Sequence, residues 1–155
     1  MARKKGKERK IDIRGFYRLQ IVGPGKKVQP ATPWMQNQIT NHGMNTCLVA
    51  APMNVSGYKQ GASLVLGSGS DPASTDETLE SSDSKHVKAF AQSIVNGSTA
   101  ARVTAQFNTT ANRTVKNIGI IDTDSSLIAG KSYTQSVLSS DQSLNATYEI
   151  QYTTS

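Results

Sequence analysis

The sequence predicts a mainly β protein: an antiparallel β-sandwich or barrel-like domain with one short helix and an extended basic N-terminal arm. Three observations carry that expectation. Ser, Thr and Asn supply 18, 15 and 9 of the 155 residues; such side chains compete with helical backbone bonds, and Thr is also β-branched. Short apolar runs recur between clusters of Gly, Pro, Asn and Asp, the spacing of strands and turns. The charge is also partitioned. Up to Lys27 there are ten basic and two acidic residues, +8, whereas the remaining 128 residues hold seven basic and nine acidic, −2. The formal +6 therefore describes a basic leader on a nearly neutral body.

At 16.6 kDa the chain has the size of one domain, and it divides into an arm, residues 1–10, and a single β-rich domain, residues 11–155. Within the arm, Arg3, Lys4, Lys5, Lys7, Arg9 and Lys10 face a single acid, Glu8, with only Met1 and Ala2 to bury. Such a segment cannot fold by itself, and like-charge runs of this kind act as interaction tails. These six cations are the expected partner-binding residues. Extended, ten residues reach about 33–36 Å, enough to cross a neighbouring subunit.

Ile11 to Val22 reads as a strand, with Tyr17, Leu19 and Ile21 on one face and Phe16, Arg18 and Gln20 on the other. Gly23-Pro24-Gly25-Lys26 makes a turn, since Pro fixes φ and Gly permits positive φ. The stretch from Met35 to Ala51 is the one helix expected. Asn41 would cap it, Met44, Cys47, Leu48 and Ala51 fall at helical spacing, and Pro52 would stop it. Ala62 to Leu66 returns to a β pattern and leads into a polar loop from Gly67 to about Lys85. Ala101 to Asn108 alternates, with Val103, Ala105 and Phe107 on one face. Val115 to Ile121 is nearly continuously apolar, as a buried strand is, and Tyr133 to Leu138 is a further strand. Leu144, Ala146, Tyr148, Ile150 and Tyr152 alternate strictly with polar residues, the strongest strand signal in the chain.

Several chemistries are excluded. There is no run of about 18 apolar residues, so no membrane-spanning helix is expected, and no apolar segment follows the charged start as a secretory signal requires. One cysteine, Cys47, rules out an internal disulfide framework and a Cys-based zinc cluster; it reads as a small buried hydrophobe, and Trp34 as a core anchor. Gly23-Pro24-Gly25-Lys26-Lys27 lacks the spacing and the Ser or Thr of a phosphate loop. Ser68 lies directly between Gly67 and Gly69, which is not a nucleophile elbow. Asp122-Thr123-Asp124-Ser125-Ser126 hints at a calcium loop, but Leu127 and Tyr133 stand where Gly and Glu are needed. It reads as an Asx-stabilised hairpin turn. The Asn-x-Ser/Thr triplets at Asn54, Asn96, Asn108, Asn112 and Asn145 carry no meaning for glycosylation without a signal sequence. No catalytic, metal or cofactor site is expected, and the chain is read as a non-enzyme.

The order of motifs resembles that of small β-rich structural proteins of tailed bacteriophage virions. Trp34-x-x-Asn37-x-Ile39-Thr40-x-x-Gly43-Met44 resembles their "N-x-I-T-x-x-G-hydrophobic" signature, preceded by a Gly-containing hairpin, Gly15 to Leu19 and Gly25 to Val28. Leu66-Gly67-Ser68-Gly69, Pro72, Asp76 and Leu79 resemble the "L-G-x-G … P … D-x-x-L" segment. Arg102, Phe107 and then Val115-x-Asn117-Ile118-Gly119-Ile120 resemble the "N-I-x-E-I-G" strand, and Leu144-x-x-Thr147-Tyr148-x-Ile150 the closing strand. The likeness runs over roughly residues 11–153. The acid that often precedes the "I-G" pair is missing, so no role for it carries over.

The resemblance implies a virion component. The expected role is a head decoration (cement) protein, a homo-oligomer with a trimer as its expected form. Its body would sit on the capsid lattice, and its arm on an acidic stripe of the major capsid protein. The sequence given ends with its last strand and holds no shaft or coiled coil, which favours a compact decorating unit. The alternative within that class is a tail, neck or fibre-anchor component docking on a connector. The alternative of a different class is a nucleic-acid-binding module, with the arm on phosphates; the arm's lack of base-stacking aromatics counts against single-strand binding.

Overall fold

The computed structural model describes residues 11–25, 27–89, 91–94, 100–109 and 111–154. The expected arm contacts Arg3, Lys4, Lys5, Lys7, Arg9 and Lys10 lie outside them. Among the described residues, ten strands form two five-stranded antiparallel sheets. They are β1 (Ile11–Val22), β2 (Met35–Gln36), β3 (Gln38–Ile39), β4 (Gly61–Gly67), β5 (Ser82–Ala89), β6 (Ala91–Ile94), β7 (Ala100–Asn108), β8 (Arg113–Asp122), β9 (Leu127–Leu138) and β10 (Ser143–Thr154). One sheet has the order β2-β1-β10-β7-β6, the other β3-β9-β8-β4-β5.

The longest pairing joins the two ends of the domain: β1 and β10 are in register from Ile11↔Thr154 to Val22↔Ser143. Alternation on these strands aims Tyr17, Leu19, Leu144, Ala146 and Tyr148 inward. They meet Leu64, Leu66, Ile118, Ile120 and Ile128 of the second sheet in one buried cluster. Each buried Leu or Ile among them contributes about 1.5–3 kcal/mol by leaving water. The Tyr17 and Tyr148 rings lie 4.7 Å apart, and the Tyr17 hydroxyl crosses the layers to donate to the Ala129 carbonyl at 3.2 Å.

The apolar run in β8 is buried on both faces. Outside it, residues 68–81 fold back over the second sheet, and Leu79 joins Val65, Ile121 and Leu127 in a smaller cluster. Gly130 makes room for this loop, because a Cβ there would stand 2.7 Å from the Pro72 ring. The Asn117 amide donates to the Ser70 and Glu80 carbonyls at 3.1 and 3.0 Å and pins the loop's two ends. The glycines and Pro72, Leu79 and Asn117 of the motifs thus serve packing.

Five expectations are corrected. The helix does not begin at Met35. Met35 and Ile39 fit helical and strand spacing alike, and residues 35–39 pass between the layers as β2 and β3, satisfying the edges of β1 and β9. The helix, α1 (Gly43–Val49), is wound as a π-helix. Its cap is Thr40 rather than Asn41: the Gly43 N–H donates to Thr40 Oγ1 at 3.0 Å, and that hydroxyl also reaches the Leu127 and Ile128 carbonyls at 2.5 and 3.0 Å. The polar loop after Gly67 ends at Ser81, where β5 begins. Trp34 is 39% exposed and no core anchor, and Cys47 is half-buried, a free thiol packed against the core's edge.

Candidate functional site

The pairing places several features at one end of the sandwich. Here β1 and β7 begin, β10 ends, and β8 turns into β9. The arm is therefore rooted at this end through Ile11. Between the layers lies an apolar groove of about 600 Å³, with Val103 and Ile150 on one wall, Ile120 and Ile128 on the other, and Cys47 and Leu48 of α1 across it. Lys59 also lines it.

Residues 50–59 continue from α1 along this groove. Backbone bonds hold the segment in shape: Val55 N–H donates to the Ala50 carbonyl at 3.1 Å, Tyr58 N–H to Val55 at 3.1 Å, and Lys59 N–H to Thr46 at 3.0 Å. Asn54 and Gly57 take positive φ, 51° and 85°, where the chain turns sharply. The end of α1 and this segment present apolar side chains to water: Val49, Val55 and Tyr58 are exposed and Met53 is 76% exposed. Four large apolar side chains exposed within ten residues, on a hydrogen-bonded turn, are a candidate contact surface. Sequence reasoning missed it, because Met53, Val55 and Tyr58 sit among turn formers without periodicity. Apolar residues inside a Pro-Asn-Ser-Gly segment were the available signal.

On the outer face of the first sheet, Trp34 lies between two guanidinium groups, 5.8 Å from Arg18 and 5.7 Å from Arg102. Arg102 also binds Glu149 at 2.7 Å. Burial pushes the Glu149 carboxyl up, but its bonds from Arg102 and Gln151 prevail and hold it below the usual carboxylate value.

The segment 122–126 is the Asx-stabilised turn expected from the sequence. Asp122 Oδ1 accepts from the Asp124 and Ser126 amides at 2.8 and 3.0 Å. Its Oδ2 meets His42 Nε2 at 2.6 Å. Burial pushes this carboxyl up, yet the His42 bond and the two amides outweigh it and leave it below its ordinary 3.8. Cys47 Sγ lies close by: the sulfur, the His42 nitrogen and the Asp122 oxygen are all within 4.8 Å of one another. Burial raises the Cys47 thiol, the neighbouring Thr46 hydroxyl lowers it, and the Asp122 charge raises it again, for a net rise.

The other motifs have plain structural roles. The Gly23 N–H donates to the Lys27 carbonyl at 2.7 Å, as a turn requires. A Cβ on Gly69 would collide with the Glu80 backbone at 2.5 Å, so the Gly67-Ser68-Gly69 stretch is a close-packing device. Among the described residues no helix is long and apolar enough to cross a membrane. No protein-family model, curated protein or solved structure matches the chain.

Proposed function

We propose that this chain is a structural protein of a tailed-phage virion, a head decoration protein that attaches through the end of the sandwich described above. The observation that carries the reading is the coincidence at that end of the arm's root, the apolar groove and the exposed turn bearing Met53 and Val55. The five motifs in order, from Gly15 to Ile150, support the virion class.

The mechanism is mechanical. Apolar contact by the groove end buries surface at a lattice junction, and arm cations make charge-assisted bonds to acidic capsid residues. Both add to the cost of pulling the lattice apart, because whatever binds only the assembled state stabilises it. Two separate contacts on one tether also raise the effective concentration of each for its site.

The test is reattachment. Particles lacking the protein are incubated with the full chain, with a chain lacking residues 2–10, and with Met53→Asp. The reading expects the full chain to bind and both variants to bind poorly while folded. Equal binding by all three refutes it. Attachment at a tail or neck vertex supports the connector-docking alternative. A mobility shift of DNA at low salt that vanishes with the arm supports the nucleic-acid module.

A further inference from the structure

We propose that His42, Cys47 and Asp122 form a mixed nitrogen, sulfur and oxygen site for one borderline divalent metal ion, with zinc the best match. The proposal is independent of the virion reading. The three donors come from two elements that the fold brings together, the start of α1 and the end of β8, 80 positions apart in sequence for His42 and Asp122.

The winding of α1 is what makes the site. In an α-helix, at 3.6 residues per turn, side chains five apart point about 140° away from each other. In a π-turn the bond closes on the fifth residue, as from Ala50 N–H to the Asn45 carbonyl at 3.1 Å, so positions five apart stack. His42 and Cys47 are five apart, and both reach Asp122. π-turns are rare and recur at functional sites. The Thr46 hydroxyl donates to the His42 carbonyl at 2.6 Å inside this turn.

The donor set suits the metal. A carboxylate and a thiolate balance a divalent charge, with the thiol proton released on binding and the neutral imidazole as third ligand. Asp122 is pre-aimed, since the two amides on Oδ1 fix the carboxylate, and its Oδ2, which meets His42 Nε2 at 2.6 Å, exchanges that hydrogen bond for the ion when both ligate. The donors lie within 4.8 Å. Zinc bonds of about 2.0–2.3 Å give tetrahedral edges of about 3.3–3.7 Å. His42 Nε2 and Asp122 Oδ2, now 2.6 Å apart, therefore part by about 1 Å, and the sulfur, within 4.8 Å of both, closes onto the ion. Cys47 also lines the groove, which leaves the fourth position to a water or to a group entering there. A bound ion would tie α1 to the β8–β9 turn and fix that wall of the groove.

Cobalt(II), added to the purified full chain under reducing conditions, tests this directly. The expected result is a sulfur-to-cobalt charge-transfer band in the near ultraviolet, saturating at one equivalent per chain and bleached by zinc. Cys47→Ser should abolish the band with circular dichroism unchanged. His42→Ala should weaken cobalt by about 10–100-fold or more, since even outer-sphere losses reach that range. Wild-type protein giving no band at millimolar cobalt overturns the proposal, as does a folded His42→Ala that binds cobalt as tightly as wild type. If His42→Ala does not fold, alkylation of Cys47 in the wild-type chain decides. Slowing by zinc but not by magnesium supports the site, and equal rates refute it.

Discussion

Replacing Thr40 by valine removes one hydroxyl and nothing else of comparable size, at a position 1% exposed. That hydroxyl accepts from Gly43 N–H at the start of the helical turn and donates toward the Leu127 and Ile128 carbonyls of β9. Ile128 keeps a second donor, the Thr40 amide at 2.9 Å, so the loss falls on Gly43 N–H and on Leu127. A helix cap is worth about 1 kcal/mol, and a buried group left without its partner costs about 1–3 kcal/mol. Together they give about 2–4 kcal/mol. At about 2–4 °C per kcal/mol for a chain of this length, the melting temperature falls by roughly 4–16 °C. Thr40→Ser keeps the hydroxyl and loses one methyl, costing about 1 kcal/mol. Thermal unfolding of the three proteins by circular dichroism is the assay. A valine variant as stable as wild type, or a serine variant as damaged as valine, refutes the assignment of Thr40 as the joint between α1 and β9.

Three further outcomes follow from the same geometry. Asp122 has its carboxyl held below 3.8 in the folded chain. Its contribution to stability is therefore full above the unfolded value and is lost as pH falls through the folded value. Urea midpoints measured from pH 6 downward should decline less steeply in Asp122→Asn, which keeps the Asx acceptor but not the charge; an unchanged acid limb contradicts this. Trp34→Ala should cost about 2 kcal/mol, less than the ~3–5 kcal/mol of a fully buried ring, because the ring is 39% exposed and its two cation–π contacts are worth about 0.5–1 kcal/mol each; a loss of about 4 kcal/mol or more would restore the core-anchor reading. Removing residues 2–10 should leave the melting curve of the body unchanged, since β1 starts at Ile11, and an unfolded truncation counts against the division into arm and body.

The strands that bury one face were legible. β10 alternates strictly and forms from Ser143 to Thr154, and β1 spans the residues its pattern marks. β8 read as buried because its outer face is covered by the 68–81 loop as well. β5 and β6 were not legible. They are the edge strands of their sheets, and sequences such as SDSKHVKA carry little apolar signal because an edge tolerates polar residues. The helix start was misplaced because one Met and one Ile around Gln and Asn satisfy helical spacing as well as strand spacing. Pairing with β1 and β9 decides between them, and pairing is non-local.

Sites were less visible than strands. The basic arm is a local charge run and could be read directly. The groove is assembled from α1 and both sheets, so no window of sequence contains it. The grouping of His42 and Cys47 depends on π-winding, which a helical wheel at 3.6 residues per turn would hide. Asp122 read correctly as a turn former, but its second oxygen is aimed by the fold.

Counting copies of this chain per purified particle, against the major capsid protein by quantitative mass spectrometry, tests the central claim most directly. A head decoration protein predicts copies in the hundreds, in fixed ratio to the capsid subunits. A dozen copies or fewer, or none, contradicts it.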